Sequence, residues 1–217
     1  MPEILSFTLV TFSAVFFVVD PFAVIPLFLS ITQGDSPAKK RLTALKASLA
    51  TVITLLVFAA AGGFIFRMFG ITLGAFKIAG GILLFLLALD MMRAQRSRVR
   101  TSPEEETEGM GKDDVAIIPL GIPMLAGPGS IATVTVLMSE ALHSLVHVAV
   151  VVACILATGV LTYVLLRMAG YLERALRQTG LNILNRVMGL ILAAVAVQFV
   201  VNGVHDVLPQ VAAAAAR

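Results

Sequence analysis

The chain has 217 residues, 59% of them hydrophobic and only 13% charged, with a mean hydropathy of +0.97 and a net charge of +3. Soluble domains average about 45–50% apolar and about 25% charged residues, so a water-soluble globule is excluded and lipid must cover the surplus apolar surface. The single cysteine, Cys154, rules out an intramolecular disulfide and reads as a buried structural thiol, and the basic residues lie in short segments between apolar runs, which marks topology rather than a nucleic-acid footprint.

A bilayer core of about 30 Å is crossed by roughly 20 apolar residues in a helix, and six segments of this chain qualify. The first, 4–32, is too long for one straight span and is interrupted by Asp20-Pro21, with Pro26 five residues on. Nothing basic precedes it, unlike the start of a secretory signal. Proline removes a backbone donor and clashes with the preceding turn, so a break is expected at Pro21, with Asp20 as the cap of a second half-helix. A carboxylate there costs at least ~2.5–3.5 kcal/mol on insertion scales, which makes Asp20 a candidate ligand as well as a cap. The second and third segments are 47–66 and 73–91, the latter carrying Lys77, Gly80, Gly81 and, at its end, Asp90.

Residues 93–114 form the one extended linker, first basic and then acidic, with Pro103, Gly109 and Gly111 preventing a continuous helix. The fourth segment, 115–138, holds Pro119, Gly121, Pro123, Gly127, Pro128 and Gly129. A half-helix starting at Pro128 would present first-turn amides suited to a carboxylate, with Ser130 and Thr133 adding hydroxyls. The fifth and sixth segments are 145–166 and 183–203, the last carrying Arg186, Gln198 and Asn202. Glu140, His143 and His147 share a helical face, yet no further ligand stands near them in the sequence, and no metal or other cofactor is expected. Nucleotide-binding loops and nucleophile motifs are also absent from the sequence, so the expectation is not an enzyme.

Thirteen of the 16 basic residues fall in the connections, or at their edges, between segments one and two (Lys39, Lys40, Arg41, Lys46), three and four (Arg93, Arg96, Arg98, Arg100, Lys112), and five and six (Arg167, Arg174, Arg177 and, just inside segment six, Arg186). The positive-inside rule puts those connections in the cytoplasm and both termini outside. The halves also match in order. Asp20-Pro21 corresponds to Gly127-Pro128, Arg67-Met68-Phe69-Gly70 to Arg167-Met168-Ala169-Gly170, and Lys77-Ile78-Ala79-Gly80 to Arg186-Val187-Met188-Gly189. Three spans per repeat is an odd number, so the second repeat must be inverted. The expected fold is an all-α integral membrane protein of six transmembrane helices, built as two inverted-topology three-helix repeats (1–92 and 115–217) with broken helices 1 and 4. Paired breaks in such repeats point to a transporter's binding site near the midplane.

The runs 20–28 (Asp-Pro-Phe-Ala-Val-Ile-Pro-Leu-Phe), 69–85 (Phe-Gly-Ile-Thr-Leu-Gly-Ala-Phe-Lys-Ile-Ala-Gly-Gly-Ile-Leu-Leu-Phe) and 118–133 (Ile-Pro-Leu-Gly-Ile-Pro-Met-Leu-Ala-Gly-Pro-Gly-Ser-Ile-Ala-Thr) closely resemble the MarC family, also called the neutral amino acid transporter family. The resemblance covers the chain from Phe7 to Asn202. It implies a bacterial inner-membrane carrier that exports or exchanges a small neutral amino acid such as glycine or alanine. Many relatives have glycine and then a polar residue, often asparagine, after the Asp-Pro-aromatic; this chain has Ala23 and Val24. The first break therefore lacks a flexible glycine and an amide that could bind substrate.

The expected substrate contacts are Asp20, Pro21, Pro26, Gly127, Pro128, Gly129, Ser130, Thr133 and Gln198, with Asp20 and Lys77 as candidates for a coupling proton or sodium ion. Lys77 and Arg186 alternatively read as snorkelling anchors. The expected partners are the bilayer, the amino acid and the coupling ion, with no nucleic acid; a homo-oligomer is left open. The competing functions are an intramembrane enzyme acting on a lipid or quinone, and a non-transporting membrane scaffold.

Overall fold

The structure is a computed structural model that describes residues 2–93 and 116–215, and the described residues form helices joined by short turns, without strands. Helix α1 (Pro2–Val19) ends at Asp20, and α2 (Pro21–Ile31) follows directly. Asp20 has φ 47° and ψ 67°, the left-handed conformation that aspartate and asparagine tolerate best among residues with a side chain. Its carboxylate accepts a hydrogen bond from the Ala23 amide at 3.3 Å, while Pro21 occupies the first helical position, where a missing N–H costs nothing.

Helix α3 (Pro37–Phe69) is capped by Ser36, whose side chain accepts from the Lys39 amide, and it ends at Gly70 with φ 64°. This helix begins ten residues before the apolar run does. Lys39, Lys40, Arg41 and Lys46 therefore sit on helical turns rather than in a loop, because the Ser36-Pro37 start nucleates helix regardless of hydropathy. Helix α4 (Leu73–Met92) is capped by Thr72. The expected linker, 93–114, lies outside the described residues beyond Arg93.

The fourth apolar segment is two pieces. Helix α5 (Ala116–Leu125) is wound as a π-helix, closed by an Ala126 N–H to Gly121 O bond of 3.0 Å. Prolines at 119 and 123 remove donors from the α-helical ladder, and the wider winding is a local answer to that loss. Helix α6 (Pro128–Ala141) follows after the break at Ala126-Gly127. Neither piece alone reaches spanning length, and among the described residues five stretches are long and apolar enough to cross a membrane: Glu3–Ile31, Pro37–Phe66, Leu73–Met92, Leu145–Arg167 and Thr179–Leu208. Helix α7 is Leu145–Arg167; α8 (Ala169–Ala215) is two helices divided at Arg177, whose φ 53° and ψ 177° are not helical.

The broken segments occupy the interior. In Glu3–Ile31, 56% of the most apolar window is buried, against 28–39% in the other four spans. In α6 every residue from Gly129 to Met138 except Ile131 is buried. This is where interrupted backbone is tolerated in a bilayer, because protein rather than lipid surrounds the freed polar groups. The outer helices expose apolar rows to lipid: Leu49, Ile53, Val57 and Phe64 on α3, Leu156, Val160 and Val164 on α7, and Leu190, Val197 and Val201 on α8.

Helices α4 and α8 cross along a seam of small residues. Gly74, Gly81 and Ala88 face Gly203, Ala196 and Gly189, each set spaced by seven and running antiparallel. A methyl group on Gly203 would stand 2.6 Å from Gly74 O, and one on Gly81 would stand 2.8 Å from Ala196 O. Backbone approach this close is how helices gain packing energy in lipid, where no hydrophobic force drives them together. Gly62 and Gly159 give similar room to Thr135 and Val52, tying α3 to α6 and α7.

Candidate functional site

The two breaks come together. A methyl built on Gly129, in the first turn of α6, would lie 3.5 Å from Val18 Cγ1, two residues before Asp20, and 3.2 Å from Leu84 Cδ2 of α4. Asp20 and Thr133 are fully buried and Ser130 is 3% exposed. Pro21, Gly127 and Gly129 are buried, Pro26 is half-buried inside α2, and Pro128 is exposed. Eight of the nine expected substrate contacts thus lie in α2, α6 or the residues capping them. The ninth, Gln198, does not join them. It is exposed on α8 and donates to Asn202 Oδ1 at 2.7 Å, because the buried side of that helix is taken by the small-residue seam.

The chemistry of the two breaks differs. At the first, Asp20 supplies a carboxylate whose one oxygen caps α2. At the second, Gly127 has no side chain to cap α6, leaving the first-turn amides as the local donors. Ser130 Oγ donates back across the break to Leu125 O at 2.9 Å, and Thr133 Oγ1 donates to Gly129 O at 2.9 Å. Both hydroxyls therefore satisfy carbonyls at the interruption, and each oxygen keeps its own lone pairs as acceptors. Removing the Ser130 bond takes a donor from the Leu125 carbonyl at the break, at about 1–3 kcal/mol. Ser130→Ala is expected to lower the thermal unfolding midpoint in detergent, and Ser130→Cys, which keeps a weak donor, to lower it less.

Among the described residues Lys77 is the other buried charge, and its partners lie far along α6 and α8 from the break. Its ammonium is 2.7 Å from Glu140 Oε1 of α6 and 2.7 Å from Asp206 Oδ2 of α8. Glu140 lies eleven residues beyond Gly129, about 16 Å at 1.5 Å rise per residue. The Lys77 side chain is 7% exposed and those of its partners 33% and 38%, so the cluster is closed on the lysine side and open on the carboxylate side. The snorkelling expectation for Lys77 is corrected: two carboxylates on neighbouring helices reward burial where lipid headgroups would not. Asp206 carries no local pattern; only the rarity of an acid late in an apolar run signals it. Glu140 is turned away from the histidines. His143 is exposed, and His147 meets the Phe7 ring edge-on at 4.6 Å. Cys154 is buried, its thiol 3.8 Å from Thr8 O of α1.

Lys77→Met should destabilise the protein more than Glu140→Gln or Asp206→Asn alone, since it leaves two carboxylates facing each other without their shared cation. Thermal unfolding of the four purified proteins checks this. An equal loss in all three variants would mean the ions act independently.

A model of the family described as MarC family integral membrane protein matches residues 5–208. The chain belongs to the MarC family. A UPF0056 membrane protein of Methanocaldococcus jannaschii is 39% identical over 204 residues, covering 94% of this chain and 98% of that protein. UPF0056 membrane protein YvbG of Bacillus subtilis is 36% identical over 206 residues, covering 94% and 97%. UPF0056 membrane protein YhcE of Escherichia coli is 33% identical over 198 residues, covering 91% and 92%. No solved structure matches significantly. Family membership and the five spanning stretches together make this MarC protein a multi-pass integral membrane protein.

Proposed function

We propose that this MarC protein is a secondary carrier of the cytoplasmic membrane, exporting or exchanging a small neutral amino acid of glycine or alanine size by alternating access. The observation that carries the reading is the contact between two interrupted helices in the protein interior, one bringing the Asp20 carboxylate and the other the uncapped N-terminus of α6. A zwitterion complements that pair, its ammonium toward Asp20 and its carboxylate toward the amides of Gly129 and Ser130. The dense packing of Val18, Leu84 and Leu87 around Gly129 favours a substrate with little or no side chain.

Alternating access is supported by the ordered sequence matches between the halves and by the equivalence of the two breaks, which fit two inverted three-helix repeats. In this reading the basic connections face the cytoplasm, both termini face outward, and Asp20 is the candidate site for a coupling proton or sodium ion. Lys77, held by Glu140 and Asp206, bridges α4 of the first repeat to α6 and α8 of the second, and serves coupling as a tie between halves that must move apart. An intramembrane enzyme would need several side chains free to act on substrate, whereas Ser130 and Thr133 are already donating to backbone.

Uptake and counterflow of radiolabelled amino acids in proteoliposomes test the proposal, with and without proton and sodium gradients. Saturable counterflow of glycine or alanine is expected. Folded protein that moves none of the amino acids under any gradient would refute it.

A further inference from the structure

At the end of the bundle where α2 stops, α3 begins and α7 turns into α8, a cavity of about 760 Å³ opens between the helices. Its rim carries Lys40 and Arg41 of α3, Arg167 at the end of α7 and Arg174 of α8. Asp35 also lines it, but Lys39 neutralises that carboxylate at 2.8 Å. Among the described residues none of the four rim cations is ion-paired. Two are held in place by neutral acceptors: Arg41 Nε donates to Tyr163 OH at 3.0 Å, and Arg174 Nε to Gly170 O at 2.9 Å. A bond through Nε leaves the outer guanidinium nitrogens available for a bidentate anion.

The wall is apolar. Phe28, Leu29, Leu166 and Met168 line it, and Tyr171, 63% exposed, stands at the mouth. Four like charges lining one open cavity repel one another, and a bound anion relieves that repulsion. Apolar side chains beside the cations suit a molecule that is anionic at one end and oily at the other. We infer that this cavity is a binding site for a phosphate-type anion, supplied by the headgroup of an anionic phospholipid. The site is separate from the breaks: among the described residues, none at the helix interruptions lines it. Its occupancy would clamp α3 to α7 and α8, which lie on either side of it.

The test is native mass spectrometry of the full chain in detergent, titrated with phosphatidylglycerol, phosphatidylcholine or inorganic phosphate. Phosphatidylglycerol is expected to bind at least about tenfold more tightly than phosphatidylcholine, and each lost arginine to weaken it about fivefold. Arg167→Gln with Arg174→Gln should then abolish most of the preference, whereas Arg186→Gln, a cation outside the cavity, should leave it intact. Inorganic phosphate displacing the lipid at similar concentration would keep the anion site and assign it to a soluble phosphate ester instead. No preference for phosphatidylglycerol, or equal preference in wild type and the double variant, would overturn the inference. Should the glutamine pair fail to fold, Arg167→Lys with Arg174→Lys keeps the charge, and the wild-type preference must still fall with rising ionic strength. None of these readouts involves transport, so they stand or fall apart from the carrier proposal.

Discussion

Gly203→Val should prevent the bundle from assembling, whereas Gly63→Ala should leave it folded and as stable as before or slightly more so. Both glycines are inside helices, so helix propensity alone would predict a gain of about 0.5–1 kcal/mol from either glycine-to-alanine change. Surroundings separate them. Around Gly63 nothing lies within 4 Å of where an alanine methyl would stand, while at Gly203 that methyl meets Gly74 O at 2.6 Å, Ile78 Cγ1 at 2.7 Å and Ile78 N at 3.0 Å. Two of those three neighbours are backbone atoms, which cannot rotate away. The seam can accept a side chain only by separating α4 from α8, and separation loses the contacts at Gly81 and Gly189 as well. Overpacking typically costs about 1–3 kcal/mol where side chains can yield; at Gly203 alanine should reach that cost and valine exceed it. Size-exclusion profiles and thermal unfolding in detergent of the alanine and valine variants, beside Gly63→Ala, provide the check. A Gly203→Val protein as monodisperse and stable as wild type would show that the seam is loose.

The breaks are the most legible part of this fold, and for a local reason. Proline deletes a donor wherever it stands, and Asp20 before Pro21 forms a cap from adjacent residues, so both effects are written in a few consecutive positions. The apolar spans are legible because lipid imposes their length. Hydropathy misplaces the start of α3 because it marks where lipid begins, not where helical hydrogen bonding begins; Ser36-Pro37 sets the latter. The π-winding of α5 is not legible, since prolines at 119 and 123 predict an interruption without saying which ladder replaces it. The seam is half visible. Gly74, Gly81 and Ala88 repeat by seven, as do Gly189, Ala196 and Gly203, but their antiparallel register is a tertiary fact. The Lys77–Glu140–Asp206 cluster joins residues 63 and 66 positions apart along the chain, and no local pattern announces such a union. Gln198 stands apart from the other expected contacts for the same reason: polarity in a span is visible in sequence, but the face it occupies depends on which neighbour claims the buried side.

Asp20→Asn should yield a protein that folds like wild type and transports at a small fraction of its rate, roughly a tenth or less if the carboxylate contributes a charged contact of about 1.5–3 kcal/mol. Asparagine keeps what the fold needs at this position. It tolerates the left-handed backbone, φ 47°, and it caps helices nearly as well as aspartate. It removes the charge and turns one acceptor oxygen into a donor. Asp20→Ala removes the cap as well, at about 0.5–2 kcal/mol, and places a residue poorly suited to φ 47° at the junction of α1 and α2. The two variants therefore divide two roles that the wild-type carboxylate combines. If Asp20 only caps α2, asparagine should preserve flux and its pH profile while alanine loses stability. If it also binds the substrate ammonium or a coupling cation, asparagine should lose flux at unchanged expression and unfolding midpoint. Counterflow measured across pH in proteoliposomes containing matched amounts of each protein separates these outcomes. The second is expected, because a cap alone does not require a charge: asparagine would have satisfied the Ala23 amide at the same backbone angles without the cost of burying a carboxylate in the middle of a membrane bundle.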